Sequence, residues 1–164
     1  MKAWIGLGSN VGDRSAEIER ALAHLSRHPD IVVLRRSSSW RTAAWGREEQ
    51  RDFHNAVAEL ETALAPAQLL RVLLETENEL GRDRSGPRWG PRRIDLDLLL
   101  AEERVLDQPG LSVPHPRMHQ RAFVLAPLNE LDPDLPIPGH GTVRECLRTL
   151  AAQPVERIQA PGQA

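Results

Sequence analysis

A chain of 164 residues, 40% hydrophobic and 27% charged, suits one domain, since a chain of this size buries about 68–70% of its unfolded surface without metals or cross-links. A formal charge of −2 excludes a global pull toward nucleic acid or anionic lipid, and the single cysteine, Cys146, excludes an internal disulfide and suits a reducing compartment. No run of eighteen apolar residues is present to span a bilayer, and the opening MKAWIGLGSN has too short an apolar run for a secretory leader.

Residues 2–8 read as a short apolar strand ending in GLGSN, where Gly6, Gly8, Ser9 and Asn10 are expected to supply turn chemistry. Asp13 and Ser15 can cap a first helix, whose Ile18, Ala21, Leu22 and Leu25 recur at helical spacing until His28, Pro29 and Asp30 stop it. Residues 31–40 resume as a strand. The stretch RTAAWGREEQRD is too polar and too long for a tight turn, and residues 53–61 alternate as a further strand, antiparallel to the one before. Pro66 opens a second helix where its missing N–H is harmless; Leu69, Leu73 and Leu80 form its stripe, and Gly81 closes it. The charged, irregular segment RDRSGPRWGPRR, 82–93, leads into the strand IDLDLLL, 94–100. Proline-rich turns then separate two short helices near 119–130 and 142–151, and the last ten residues are expected to be loosely held. This order predicts an α+β fold: a ferredoxin-like βαββαβ antiparallel sheet, helices on one side and appended C-terminal helical turns, in one domain, 1–164.

On a strand, alternate side chains point to opposite faces, so Ile94, Leu96, Leu98 and Leu100 are expected on one face and Asp95, Asp97 and Leu99 on the other. Two carboxylates at roughly 6.5 Å repel by about 2.5 kcal/mol at an effective dielectric of about 20, a large cost against a total stability of about 5–15 kcal/mol. A cation belongs between them: either arginines in a structural ion-pair cluster, or a divalent metal. Magnesium takes one or two protein carboxylates and completes its shell with waters and phosphate oxygens.

Segment 82–93 supplies the complementary charge. Arg82, Arg84, Arg88, Arg92 and Arg93 exceed what two aspartates neutralise and leave guanidinium forks for phosphate. Closing such a segment over a transferring phosphoryl group would stabilise it by position and charge. Lys2 is the only lysine, so no Walker A sequence can occur. Glu77 falls on the apolar stripe between Leu73 and Leu80, where it needs either an arginine of the core edge or a ligand group. Asn55 shares a strand face with Phe53 and Val57, an amide able to bond a heterocycle or a neighbouring backbone.

The run RWGPRRIDLDLL resembles the signature of the 6-hydroxymethyl-7,8-dihydropterin pyrophosphokinases. The similarity continues through WIGLGSN, WRT, NAVAELET, ELGR and VPHPRMHQRAFVLAPL, nearly the whole chain. The resemblance implies an ATP-dependent diphosphotransferase of folate biosynthesis, giving the pterin diphosphate and AMP, with ATP as co-substrate and two magnesium ions. It also implies small-molecule substrates, no nucleic-acid or membrane partner and a cytoplasmic location; a monomer is the default.

By the same resemblance, Asp95 and Asp97 match the metal ligands, and Arg82 and Arg92 match catalytic arginines that close over the phosphates. Glu77, Arg84, Trp89, His115 and Arg121 occupy positions associated with binding ATP or sealing the site. Thr42, Phe53, Asn55 and Phe123 match the pterin pocket, with Phe123 stacking on the pterin ring opposite Phe53 or another aromatic. Ala43, Ala44 and Trp45 depart from a proline-containing run common in the family; Leu74, Gly110 and Pro116 depart near the nucleotide. No residue declares itself a general base. A single-strand RNA reader fits less well, because such sheets display aromatics and a basic surface whereas this chain is slightly acidic and places acids at its site. A metal-dependent phosphohydrolase or nuclease built on the same aspartates would differ in its products.

Overall fold

The computed structural model describes residues 1–42, 52–81 and 93–158. Strand β1 (Lys2–Ser9) lies between two antiparallel neighbours, β4 (Phe53–Thr62) and β5 (Asp95–Ala101). The far edge of β4 carries β2 (Ile31–Arg36) and then β3 (Trp40–Thr42). Beyond β3 lies β10 (Glu156–Arg157), which pairs with it. Helix α1 (Arg14–Ser26) joins β1 to β2, and α2 (Pro66–Gly81) joins β4 toward β5. Antiparallel strands mixed with helices in this way make the fold α+β.

Strand alternation divides the core between the two sheet faces. Ala3, Ile5 and Leu7 of β1 and Ala56, Ala58 and Leu60 of β4 pack with Ile18, Leu22 and Leu25 of α1 and Leu69 and Leu73 of α2. Asp13 starts α1 by accepting the Ala16 amide at 3.1 Å. Trp4, Val57, Leu99 and Leu100 point the other way, against α3 (Ala122–Leu131) and α4 (Val143–Arg148). Helices on one side therefore describes α1 and α2 only: the appended helices bury their own apolar stripes by covering the opposite face. Among the described residues no helix is long and apolar enough to cross a membrane.

The structure departs from the sequence reading in several places. The strand expected over 31–40 is interrupted at Ser37, which donates its amide to the Val57 carbonyl at 2.8 Å while its hydroxyl accepts the Val57 amide at 2.9 Å. A serine hydroxyl that replaces a backbone partner ends the regular ladder. In β5, Trp4 pairs with Leu100 and Ile5 with Leu98, leaving Leu99 as a bulge residue that turns Leu100 onto the face of Leu99. Gly6 and Gly8 are strand residues rather than turn residues, paired on both sides.

The proline-rich stretch contains two small hairpins, β6 (Leu106–Gln108) with β7 (Leu111–Val113) and β8 (Pro136–Ile137) with β9 (Gly141–Thr142). Thr142 and Glu145 form a reciprocal capping box that starts α4. Of the last ten residues, expected to be loosely held, 159–164 lie outside the described residues, while 156–158 are anchored through β10 and through the Ile158 amide, which donates to the Ser39 carbonyl at 2.8 Å.

Candidate active site

Across three strands, two rows of residues share one sheet face at the end of β1. Asp97 opposes Gly6, which opposes Val57; Asp95 opposes Gly8, which opposes Asn55. The glycines leave an open floor between the carboxylates of β5 and the amide of β4, as strand glycines do where a ligand or backbone must approach closely. Above that floor is a cavity of about 390 Å³. Thr42, Phe53, Asn55, Arg121 and Phe123 all line it, together with Asp95 and Asp97. The chain has only two phenylalanines, and both face this space.

Asn55 is 7% exposed. Its Nδ2 donates to Thr42 Oγ1 at 3.1 Å, which fixes the amide orientation and leaves Oδ1 as the acceptor over Gly8. The partner of Nδ2 is a side chain diagonal to Asn55 on β3 rather than a neighbouring backbone group. Arg121 stands just before α3 with its guanidinium carbon 5.5 Å from the Phe123 ring centroid, a cation held against the aromatic that lines the cavity.

A second cavity of about 370 Å³ adjoins the first and is again lined by Asp95 and Asp97. Glu77 of α2 and His115, just after β7, line its sides, and two family departures, Leu74 and Gly110, lie on its wall with Pro116. His115 Nδ1 accepts the Arg117 amide at 3.1 Å, so a neutral ring carries its proton on Nε2. Burial holds the His115 pKa below 6.5; Asp97 pulls it up, while Arg121 and Arg117 push it further down.

Arg82, Arg84, Trp89 and Arg92, and the departures Ala43, Ala44 and Trp45, lie outside the described residues. Arg93, at the end of that basic segment, reaches Glu17 Oε1 of α1 at 3.5 Å. Glu17 is a 5% exposed carboxylate that also takes Arg20 at 3.1 Å. The sequence reading missed the floor residues Gly6 and Gly8, for which glycine within a strand was the available signal. It also missed Gln153, Pro154 and Val155, which line the first cavity and carry no local signal.

Among the described residues, no three His, Cys, Asp or Glu side chains converge as a metal cage. A pair of carboxylates open to a cavity is still the donor set that suits magnesium, which keeps waters and phosphate oxygens in its shell. Two cavities meeting at such a pair, on a helix-covered antiparallel sheet, suit a transferase that brings two small-molecule substrates together beside a metal.

The chain belongs to the 7,8-dihydro-6-hydroxymethylpterin-pyrophosphokinase (HPPK) family, whose model matches residues 4–133. It is similar to the 2-amino-4-hydroxy-6-hydroxymethyldihydropteridine pyrophosphokinase of Methylorubrum extorquens, with 45% identity over 158 residues, 96% of this chain and 99% of the relative. The Bacillus subtilis protein of the same name is 46% identical over 129 residues, 79% of this chain and 77% of that one. Among solved structures, the wild-type Plasmodium falciparum HPPK-DHPS with pteroate shares the fold at a TM-score of 0.69 and 15% identity, over 92% of this chain and 42% of that one, so the chain spans less than half of that protein. The chain is an ATP- and magnesium-dependent pterin pyrophosphokinase of folate biosynthesis, a transferase acting on small molecules.

Proposed function

We propose that the first cavity holds the hydroxymethyl pterin, the second holds ATP, and Asp95 and Asp97 hold two magnesium ions at the junction. The observation that carries this reading is that, among the described residues, these two side chains alone of the ionisable groups line both cavities. When bound, the ions supply charge neutralisation on the phosphate oxygens.

In this reading the pterin lies on the Gly6–Gly8 floor between Phe53 and Phe123, its flat ring stacked and its polar edge met by Asn55 Oδ1 and the Thr42 region. The pterin hydroxyl oxygen bonds to the β-phosphorus of ATP, the bridge oxygen between the α- and β-phosphorus leaves with AMP, and the hydroxyl proton passes to water. His115, kept neutral by burial, donates from Nε2 to a phosphate oxygen, and Glu77 and Arg121 border the nucleotide. As the resemblance implies, Arg82 and Arg92 would close over the phosphates, and Arg84 and Trp89 would bind ATP or seal the site. Catalysis then rests on alignment and charge rather than on a dedicated base.

The strand order β5, β1, β4, β2 with α1 and α2 on one face supports a ferredoxin-like assignment. We read residues 1–164 as one domain working as a monomer in the cytoplasm. Phosphorus NMR of a single reaction mixture tests the central claim: AMP and a pterin diphosphate ester appear together, and only when pterin is supplied. ADP as product, or ATP breakdown without pterin, overturns it.

A further inference from the structure

Helix α3 begins without a cap of its own. Arg121 occupies the N-cap position and makes no side-chain capping bond, yet the first amides of a helix need acceptors from elsewhere. The acceptor comes from the tail: Gln153 Oε1 takes the Ala122 amide at 2.9 Å. The other arm of the same side chain, Nε2, donates to the Gln120 carbonyl at 2.9 Å. Because an amide nitrogen can only donate and a carbonyl can only accept, these two partners fix the orientation of the Gln153 amide unambiguously. The fork therefore grips the backbone on both sides of Arg121, the residue whose guanidinium lies against Phe123.

Gln153 is also placed where such a grip matters. It lines the pterin-sized cavity with Pro154 and Val155. The next two residues form β10, which pairs with Trp40 and Arg41 directly before Thr42. The tail thus runs as a strap from the first turn of α3, which carries Phe123, to the edge strand that ends in Thr42. Both ends of the strap line one cavity.

We propose that Gln153 is a positioning residue for the pterin: its bidentate amide sets the placement of Arg121 and Phe123 and hence the width of the aromatic slot. This rests on assigning the first cavity to the pterin. A carboxylate at this position could accept from Ala122 but not donate to Gln120, and an apolar side chain could do neither, so the requirement is for a primary amide of glutamine length.

The test compares Gln153→Met, Gln153→Glu and Phe123→Ala in steady-state kinetics, with pterin and ATP varied separately, alongside thermal melting. Gln153→Met, which keeps the bulk and loses both bonds, is expected to raise the pterin KM by about tenfold while the ATP KM stays within about twofold, and Gln153→Glu to fall between it and the wild type. Unchanged pterin KM in both Gln153 variants, with Phe123→Ala still raising it, overturns the role of Gln153 and leaves the cavity assignment standing. If Phe123→Ala also leaves the pterin KM unchanged, the cavity assignment itself fails and the inference with it. Equal rises in both KM values, tracking the loss in melting temperature across the Gln153 variants, mark a purely structural residue and overturn the proposal.

Discussion

A β-carbon on Gly8 would stand 3.0 Å from Oδ1 of Asn55. That separation is too short for an undisturbed contact, so a methyl group at Gly8 must push the Asn55 amide off its position. Gly8→Ala is therefore expected to weaken pterin use while leaving the fold in place, since φ at this strand residue suits any side chain and the displaced group is the end of a side chain rather than backbone. A fall in kcat/KM for pterin of about tenfold corresponds to about 1.4 kcal/mol. Steady-state rates decide it: normal pterin kinetics in Gly8→Ala sink the idea that Asn55 and the glycine floor meet the substrate.

Asn55 itself offers a sharper version of the same test. Its Nδ2 donates to Thr42 Oγ1 at 3.1 Å, and in the proposed reading its Oδ1 meets the pterin. Asn55→Leu, similar in volume, removes both. Losing the bond to Thr42 costs about 1 kcal/mol of stability at most, because the Thr42 hydroxyl remains half-buried and can meet water. The loss in pterin kcat/KM is expected to be larger, about 1–3 kcal/mol or roughly 5–150-fold, as one buried ligand bond is left unmade. A melting temperature that drops steeply with kinetics untouched would assign Asn55 to the scaffold instead.

How far the site could be read from the sequence depends on the range of the interactions that build it. Asp95 and Asp97 were placed on one face by strand alternation alone, a local rule that holds up to the bulge at Leu99 and fails just beyond it, because the bulge is set by pairing with Trp4 and Ile5. Gly6 and Gly8 resemble turn residues locally, yet ladder bonds from β4 on one side and β5 on the other hold them extended. The break at Ser37 required knowing that Val57 lies across from it. Residues 156–157 have no strand pattern of their own; they become a strand only because the edge of β3 is open to them. Periodicity reported the core faces of α1, α2 and β4, and long-range pairing decided the rest.

Acid sensitivity should arise at a histidine pair that lines neither cavity. The rings of His119 and His140 stack at 3.7 Å with a 10° interplanar angle, and His119 Nδ1 is sealed from solvent without a hydrogen-bond partner. Burial, then the neighbouring His140, hold the His119 pKa below its ordinary 6.5. With the folded value depressed, the unfolded chain takes the proton first. The contribution of the neutral ring is complete above 6.5 and is lost as the pH falls through the lower folded value. His119→Phe keeps a ring for stacking and cannot be protonated. Its melting temperature should gain on the wild type as the pH drops below 6.5; parallel curves for the two proteins across that range would assign the acid limb to other groups.

The carboxylate pair gives the most direct test of the metal assignment, because its removal separates stability from catalysis. Asp97 is exposed on β5 and shares a sheet face with Asp95, so the two carboxylates repel and a bound cation lowers that repulsion. Asp97→Asn is nearly the same size and removes one of the two charges, so without magnesium its melting temperature should equal or exceed that of the wild type. With MgATP the order should reverse: the wild type gains stability in proportion to ligand occupancy, RT ln(1 + [L]/Kd), and the variant gains little. Asp95→Asn and Asp97→Asn should each lose about 4 kcal/mol of transition-state stabilisation, roughly a thousandfold in kcat/KM, and chelation with EDTA should stop AMP formation by the wild type altogether. Scanning fluorimetry with and without MgATP, run beside the rate assay, distinguishes the outcomes. If Asp97→Asn keeps both the MgATP-induced rise and the wild-type rate, the ions are held elsewhere and the junction between the two cavities is not where the pyrophosphate moves.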